Sequence, residues 1–337
     1  MKKILTAVLS TILIGVSALG FSACTEPAST EAVNLVDVTA AEVGVRGDID
    51  YFVIPEPAAS TKVNAISTLS FAGDLQSLYG GENGYPQAVV VVKNDLVGYV
   101  AQSLPSKLKD GATWLLDENT SPETVVNAVS SHLSEGMTPT FNAKNLSKAV
   151  IKNCSVNFVD AWNCKEEVKS FMQKLNAVSE TSFGTPSDNF FIEESGGAAV
   201  MYDGKLSVYA PDGAPALGLA KLMSTDEGIN CKEIEYNVVN ATTIQTFVTG
   251  ANPQADVCVL PVNLAVKLLG SGEKYTMLGT LTHGNLFIVS NGGTRITQQN
   301  ISSLRGKTVG VVNLAQVPGL TLKTILKDNG IDFEVLA

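Results

Sequence analysis

The sequence is short of basic residues and of histidine, which limits what the protein can bind. Its 337 residues include 23 Lys and Arg against 33 Asp and Glu, giving a formal net charge of −10, and the basic residues are scattered. Nucleic-acid-binding proteins gather Lys and Arg on one face, so no nucleic-acid partner is expected. The 2 histidines, His132 and His283, are far apart and no CxxC pair occurs, so neither a metal site nor a cofactor is indicated.

Patterns of catalytic residues are missing as well. The sequence has no nucleophile-elbow pattern, no paired carboxylates at a predicted strand end and no metal-ligand spacing. Catalysis needs a positioned nucleophile or an acid–base pair. The sequence therefore favours a role that is not enzymatic.

Long apolar runs are absent except at the beginning of the chain. Residues 1–23 combine two lysines, an apolar run and small residues, which is typical of a secretory signal peptide. Phe21-Ser22-Ala23-Cys24 resembles a lipobox, with Phe21 in place of the usual Leu, so Cys24 is expected to be diacylated and residues 24–30 to form a tether. The alternatives are an ordinary cleaved signal and an uncleaved anchor. No second run reaches the roughly 18 apolar residues of a membrane span.

Four of the 5 cysteines follow Cys24. Cys154 and Cys164 lie close together in a chain that we expect to be exported, where disulfides persist, so they form a candidate bridge. Two free thiols are the alternative. Cys231 opens a predicted strand and Cys258 lies inside one, where cysteine acts as a small buried apolar residue.

Predicted strands and helices alternate from Lys205 onward, which indicates a parallel sheet. Strands are predicted near 205–211 and at 233–239, 255–260, 285–290, 307–312 and 331–336, with helices from about 215 and at 242–249, 261–269 and 320–329. The last unit is incomplete, and matching pieces stand at the other end of the chain: strands at 33–38, 48–54 and 88–93, and a short helix at 40–45. Further helices are predicted after Ser121-Pro122 and after Asn163, which pairs with Glu166 as a cap.

Six stretches spread over the chain share a pattern with one family. They are DYFVIPEPAAS (50–60), YAPDGAPALGLAKL (209–222), ADVCVLPVNLAVKLL (255–269), THGNLFIVS (282–290), ISSLRGKTVGVV (301–312) and VPGLTLKTILKDNGID (317–332). Together they resemble the solute-binding proteins of ABC importers, in the nitrate/taurine/thiamine-precursor (NitT/TauT-like) group. The resemblance implies an α/β, two-lobe, type II periplasmic-binding-protein-like fold. Each lobe would be a mostly parallel sheet flanked by helices, and two hinge crossings would join them.

The order of these stretches differs from that of the family. The 50–60 block precedes the 209–222 block here, whereas in the family it follows the block that matches 317–332. Joining residue 337 to about residue 31 would restore the order, so the sequence is interpreted as a circular permutation whose ends emerge on the outer side of one lobe. Lobe 1 then comprises residues 79–300, and lobe 2 comprises 31–78 with 301–337. The crossings are expected near 80–84 and 292–300, which are rich in glycine or polar residues.

A ligand is expected beyond the carboxyl ends of the strands, in the cleft between the lobes. Gly213 allows close backbone approach, Thr242 and Thr243 offer hydroxyls, and Asn263 can donate and accept. Asn, Ser and Thr at such places also serve as purely structural caps. The full set of candidate ligand contacts is Glu56, Pro211, Asp212, Gly213, Ala214, Pro215, Thr242, Thr243, Pro261, Val262, Asn263, Thr282, His283, Gly284, Asn285, Gln316, Pro318 and Gly319.

Two of these candidates have clear alternatives. His283 either faces the cleft or lies at the surface. Glu56, between two prolines, either binds a cationic ligand group or caps the following helix. Few Lys or Arg residues lie on these loops, which disfavours a strongly anionic ligand and leaves helix N-termini to hold any anion.

The resemblance implies an extracytoplasmic solute-binding component of an ABC importer. Such a protein captures a small molecule by hinge closure and delivers it to a membrane permease that works with an ATPase. We expect an exported monomer, lipid-anchored at the outer face of the cell membrane or periplasmic. The alternatives are a ligand-sensing lipoprotein without a transport role and an enzyme on the same two-lobe fold.

Overall fold

The computed structural model describes residues 31–81, 83–194, 200–225 and 229–336. The predicted signal peptide (1–23), Cys24 and the tether (24–30) lie outside these ranges. Within them, none of the helices has both the length and the apolar character needed to span a membrane.

Strands and helices alternate along most of the chain. The strands are β1 (Val33–Val38), β2 (Tyr51–Pro55), β3 (Leu69–Asp74), β4 (Pro86–Lys93), β5 (Val156–Asp160), β6 (Tyr202–Pro211), β7 (Cys231–Val239), β8 (Val257–Pro261), β9 (Tyr275–His283), β10 (Leu286–Asn291), β11 (Thr308–Val312) and β12 (Phe333–Leu336). The helices are α1 (Ala58–Ala65), α2 (Leu75–Tyr79), α3 (Val97–Val100), α4 (Leu104–Leu116), α5 (Pro122–Ser130), α6 (Lys148–Asn153), α7 (Ala161–Asn176), α8 (Ala214–Leu217), α9 (Ala220–Ser224), α10 (Val262–Leu269) and α11 (Val317–Asp328).

Two sheets form the frame of the molecule. The lobe 2 sheet has the strand order β12-β1-β11-β2-β10-β3, and the lobe 1 sheet has the order β5-β9-β4-β8-β6-β7. Strand β11 pairs in parallel with both β1 and β2. The first and last strands of the chain therefore fold into one sheet, as the sequence predicts, and the α/β fold with two helix-flanked sheets is confirmed.

Both sheets are mixed. Strands β12, β1, β11 and β2 pair in parallel in the lobe 2 sheet, and β7, β6 and β8 do so in the lobe 1 sheet. Strand β10 runs antiparallel to β2 and β3, β4 runs antiparallel to β8 and β9, and β5 runs antiparallel to β9. Strands β4 and β10 each enter directly from the other lobe without a crossover helix. They begin at the edge where β2, β8 and β9 end, and they therefore run in the opposite direction.

The two crossings between the lobes differ in how well they were predicted. The first links α2 to β4 through Gly80, Gly81 and Gly84, which all have positive φ, and it lies where the sequence places it. The second lies between β9 and β10, at residues 284–285, and not at 292–300. Strand β10 thus belongs to the lobe 2 sheet although the sequence grouped it within 79–300. Residues 292–300 instead cover β3, with the Ile296 N–H donating to Ala72 O at 2.6 Å.

Three local predictions also differ from the structure. Residues 40–45 form turns rather than a helix, because Gly44 adopts a left-handed φ of 76°. Residues 242–249 contain only a 3₁₀ turn at Ile244–Phe247, since the Asn240 side chain takes the Thr242 N–H that a helix start would use. Asn163 lies inside α7, which begins at Ala161, whereas α5 begins at Pro122 with Ser121 as its cap, as predicted.

The circular order requires both ends of the described chain to emerge on the outer side of lobe 2, and only the first end does so. Strand β1 begins on the outer side of lobe 2, but β12 runs parallel to it, with Phe333 opposite Val33 and Leu336 opposite Val36. Leu336 therefore lies toward the edge that faces lobe 1. A join from residue 337 to residue 31 would have to run back along β12, as connections between parallel strands do.

The lobes are joined on one side by an aromatic cluster, which we call the aromatic junction. It consists of Tyr79 from α2, Tyr85 before β4 and Phe171 from α7, with ring centroids 5.6 to 5.8 Å apart. Tyr85 and Phe171 are completely buried. Helix α11 of lobe 2 packs against α7 of lobe 1 beside this cluster, and Lys174 pairs with Asp328 at 2.7 Å.

The predicted bridge between Cys154 and Cys164 is not formed. Both are buried free thiols, and they belong to different apolar clusters. Cys154 ends α6 among the helices of lobe 1, whereas Cys164 lies in the first turn of α7, where its Sγ is 3.7 Å from Val159 O. Burial raises the pKa of both thiols, that of Cys164 to about 11. Cys231 and Cys258 are buried in strands, as expected.

Candidate functional site

Strand ends from both sheets meet along one line between the lobes, which we call the seam. In lobe 1, the register places Pro261 opposite Ala88 and His283 opposite Pro86. In lobe 2, Pro55 lies opposite Leu286. The seam is defined here by the polar residues at and beside these ends: Glu56, Gln87, Asn153, Asn263, Thr282, His283, Asn285 and Gln316.

Two polar contacts cross the seam from one lobe to the other. Asn263, at the start of α10 and 1% exposed, donates from Nδ2 to Oε1 of Gln316, just before α11, at 3.4 Å. Asn153, the last residue of α6, donates from Nδ2 to Oε1 of Glu56 at 2.8 Å. Predicted candidates from the two lobes, Asn263 and Gln316, are thus brought into direct contact.

Glu56 is a buried carboxylate held only by neutral donors. It is 4% exposed, and it accepts from the Ser60 N–H at 3.0 Å, from Ser60 Oγ at 2.6 Å and from Asn153. Because Ser60 lies in the first turn of α1, these two bonds cap that helix, which is one of the two roles that the sequence suggests for Glu56. The bond from Asn153 places the same carboxylate against lobe 1, and no basic side chain among the described residues pairs with it.

Gln87 and Asn285 connect the two crossing strands. Gln87 Nε2 donates to Asn285 Oδ1 at 2.8 Å, and Asn285 O accepts from the Glu56 N–H at 3.1 Å. Gln87 was not among the sequence candidates, because these were sought at carboxyl ends and β4 presents its amino end. Asn153 was missed because it ends a helix. The proline at position 86, opening a strand that follows a glycine-rich crossing, is the signal that could have indicated Gln87.

His283 is buried, which makes the surface alternative wrong. It ends β9 inside the lobe 1 sheet and is 1% exposed. Its backbone N–H donates to Ser155 O at 3.0 Å. Its Nε2 lies 3.0 Å from Thr280 Oγ1, and Nδ1 has no partner among the described residues. Desolvation by burial lowers the pKa of His283 to about 4, so the ring is neutral at pH 7.

Several buried polar atoms near the seam have no hydrogen-bond partner within the described protein. They are Tyr85 Oη, Gln87 Oε1, Asn263 Oδ1, Thr282 Oγ1 and His283 Nδ1. Leaving a buried polar group unpaired costs about 1–3 kcal/mol, so such atoms are few in native proteins and need a reason. A polar molecule bound between the lobes would satisfy groups of this kind.

Other predicted candidates make contacts within the local fold, and their contact with a ligand stays a prediction. The Asp212 carboxylate accepts from the N–H groups of Thr140 and Gly213, and Gly213 has the positive φ (111°) that favours glycine. Thr242 and Thr243 are exposed and bond back to Asn240. The remaining candidates contribute chain turns or apolar packing at the strand ends: Pro211, Ala214, Pro215, Pro261, Val262, Gly284 and Pro318.

Gly319 is required by close packing, and replacing it should destabilise the fold. A Cβ at this position would lie 1.9 Å from Leu314 O, so the first turn of α11 would have to shift. We expect Gly319→Ala to lower the free energy of unfolding by about 1–3 kcal/mol in denaturant titrations. Gly98→Ala, also in a helix but with open space around the added carbon, is the control. Equal stability of the two variants would contradict this packing role.

Within the ranges that the structure describes, no cluster of three or more His, Cys, Asp or Glu side chains is placed to hold a metal ion. The chemistry of the seam is that of amides, hydroxyls, one neutral imidazole and one carboxylate, which suits hydrogen bonding to a polar organic molecule.

Comparisons with known proteins give weak likenesses. No family model and no curated protein matches the sequence. One similar solved structure is the phosphate-binding protein of a phosphate ABC transporter from Streptococcus pneumoniae, 12% identical, covering 76% of this chain and 73% of that one with a TM-score of 0.29. Another is the oligopeptide-binding protein AppA from Bacillus subtilis in complex with a nonapeptide, 11% identical, covering 79% of this chain and 57% of that one with a TM-score of 0.24. Such TM-scores are too low to identify what this chain does.

Proposed function

We propose that the protein binds a small solute at the seam between its two lobes. The observation that supports this most is the meeting of buried polar side chains from both lobes, Asn263 with Gln316 and Asn153 with Glu56. Unpartnered atoms on Asn263 and Gln87 lie beside these contacts and can bond to a ligand. Ligand sites commonly consist of a few convergent polar groups in a cleft between lobes.

Binding would be coupled to movement of the lobes. The aromatic junction and the α7–α11 packing hold one side together, so the lobes would open about that side and part at the two amide contacts. Those contacts are cheap to break, because each is a single hydrogen bond between side chains. A ligand that touches both lobes would favour the closed form by its differential affinity for it, and about 5.5 kcal/mol shifts a 1:99 ratio to 99:1.

The wider role that we propose is delivery of this solute to an ABC importer. The sequence resemblance to NitT/TauT-like solute-binding proteins, the signal peptide at 1–23 and the lipobox at Cys24 support it. The partners would be a membrane permease and its ATPase, met by an exported, lipid-anchored monomer. In this proposal the chain is a receptor and not an enzyme.

A thermal-shift panel tests solute binding. We expect one compound among amines, sulfonates, pyrimidines and flavin-like molecules, at up to millimolar concentration, to raise the melting temperature. A ligand at 100 times its Kd adds about 2.7 kcal/mol of stability. Asn263→Leu should abolish the shift, and Thr242→Ala, at an exposed predicted residue away from the seam, should leave it intact. No shift with any compound would contradict the proposal.

A further inference from the structure

A pocket of about 400 Å³ opens where β3 and β10 of lobe 2 face the end of α6 in lobe 1. We call it the Phe71 pocket. Its lining residues are Phe71, Gly73, Asp74, Asn153, Phe287 and Arg295. Asn153 belongs to lobe 1 and the others to lobe 2, so a molecule in this pocket would touch both lobes beside the Asn153–Glu56 contact.

Two aromatic rings form the apolar wall of the Phe71 pocket. Phe71 and Phe287 meet edge to face, with centroids 5.4 Å apart and an interplanar angle of 72°. Phe71 remains 42% exposed, which is unusual for a phenyl ring. The exposed ring offers contact area to the apolar body of a ligand.

The other walls carry charges of both signs. Arg295 is exposed, and among the described residues no carboxylate is paired with it. Within the described part of the chain, the Asp74 carboxylate accepts hydrogen bonds only from Ser77, from its N–H at 2.7 Å and from its Oγ at 3.0 Å. A guanidinium fork matches a carboxylate in two parallel hydrogen bonds, and a free carboxylate edge attracts an ammonium group.

A second negative group stands behind Asn153. The buried Glu56 carboxylate has only neutral donors, and the one from lobe 1 is the Asn153 amide that also lines the pocket. A buried charge without a counter-ion is costly. An ammonium group that displaced the Asn153 amide would supply the missing positive charge.

We propose that the Phe71 pocket binds a small zwitterion with a carboxylate, an ammonium group and an apolar body, such as an amino acid with a large apolar side chain. Arg295 binds the carboxylate, Asp74 and Glu56 attract the ammonium group, and Phe71 with Phe287 contacts the apolar body. This inference rests on the proposed function, because it names the class of the solute and the side of the seam on which it binds.

Matched probes test the charge requirement. Isothermal titration of the purified protein with L-phenylalanine and L-leucine is compared with phenethylamine, which lacks the carboxylate, and with 3-phenylpropionate, which lacks the ammonium group. We expect at least one amino acid to bind about tenfold more tightly than either single-charged analogue, since each analogue loses one charge-assisted hydrogen bond. Equal or tighter binding of an analogue would overturn the inference.

Matched variants test whether the amino acid binds in the Phe71 pocket. Arg295→Gln should weaken amino-acid binding about tenfold. Arg46→Gln, at an exposed arginine paired with Asp48 outside the pocket, should leave it unchanged. Phe71→Ala should also weaken binding, and a cooperative thermal unfolding transition without ligand would show that each variant is folded. Binding that is equal in the Arg295→Gln and Arg46→Gln variants would overturn the pocket assignment.

The same measurements separate this inference from the proposed function. If a solute of the wider panel raises the melting temperature but neither amino acid binds, the zwitterion inference fails and solute binding stands. If no compound in either set binds, both fail. If an amino acid binds in a manner that depends on Arg295, both are supported.

Discussion

Phe171→Ala is expected to lower the free energy of unfolding by about 3–5 kcal/mol, the usual cost of removing a buried phenyl ring. Phe171 is completely buried, stacks on Tyr85 and meets Tyr79 edge to face. Its loss leaves a cavity between α2, α7 and Tyr85 that the surrounding side chains cannot easily fill. Chemical denaturation monitored by circular dichroism would measure the change.

The control for this variant is a phenylalanine at the surface. Phe71→Ala should cost about 1 kcal/mol or less, because its ring is 42% exposed and loses less apolar contact. Amide hydrogen exchange provides a second readout: Phe171→Ala should accelerate exchange in α7 of lobe 1 and in α11 of lobe 2. Acceleration confined to α7, or a loss of stability below 1 kcal/mol, would show that the aromatic junction does not join the lobes.

Acidification should destabilise the protein through His283 between pH 6.5 and about 4. The pKa of His283 is lowered from its ordinary value of 6.5 to about 4 by burial, so above pH 6.5 both the folded and unfolded forms are neutral. Between these values the unfolded chain takes up a proton that the folded chain does not, and stability falls as the pH falls. Below about pH 4 both forms are protonated and this loss stops growing. The total is about 3 kcal/mol.

His283→Gln isolates this contribution from that of the carboxylates. Glutamine can keep the hydrogen bond to Thr280 Oγ1 but cannot titrate. The difference in unfolding free energy between wild type and His283→Gln should therefore shrink by about 2–3 kcal/mol from pH 7 to pH 4. If the free energy of unfolding changes with pH in the same way for wild type and His283→Gln, His283 is not the source of the acid destabilisation.

Much of the fold could be predicted from apolar runs and from the turn and cap residues between them. The run at 51–54 is continuous and buried on both faces, as is typical of a central strand, and the Val-rich runs at 33–38 and 308–312 lie in the same sheet. The sheet to which β10 belongs could not be predicted. Its apolar pattern resembles that of β9, and only two residues between the strands carry the chain from one lobe to the other.

Part of the polar seam could be predicted from the sequence. Asn263, Asn285, Gln316 and Glu56 follow or flank strands, where candidates were sought, whereas Gln87 precedes a strand and Asn153 ends a helix. For Thr242 and Thr243 the sequence pattern was ambiguous, since their hydroxyls and N–H groups can bond either to a ligand or within a turn. In the structure the Thr242 N–H and the Thr243 hydroxyl donate to Asn240. The disulfide prediction failed because closeness in sequence does not fix which way two side chains point.

The interleaved sheet order has a consequence for how the chain is made. Asp50 bonds to Ser290, which lies 240 residues further along the chain, so the lobe 2 sheet cannot assemble until both segments have been made. During synthesis the early apolar strands therefore remain without neighbours until almost the entire polypeptide is available, a condition that invites aggregation. A chaperone or an export machinery that keeps the nascent chain extended would suit such a topology better than folding from the N-terminus onward.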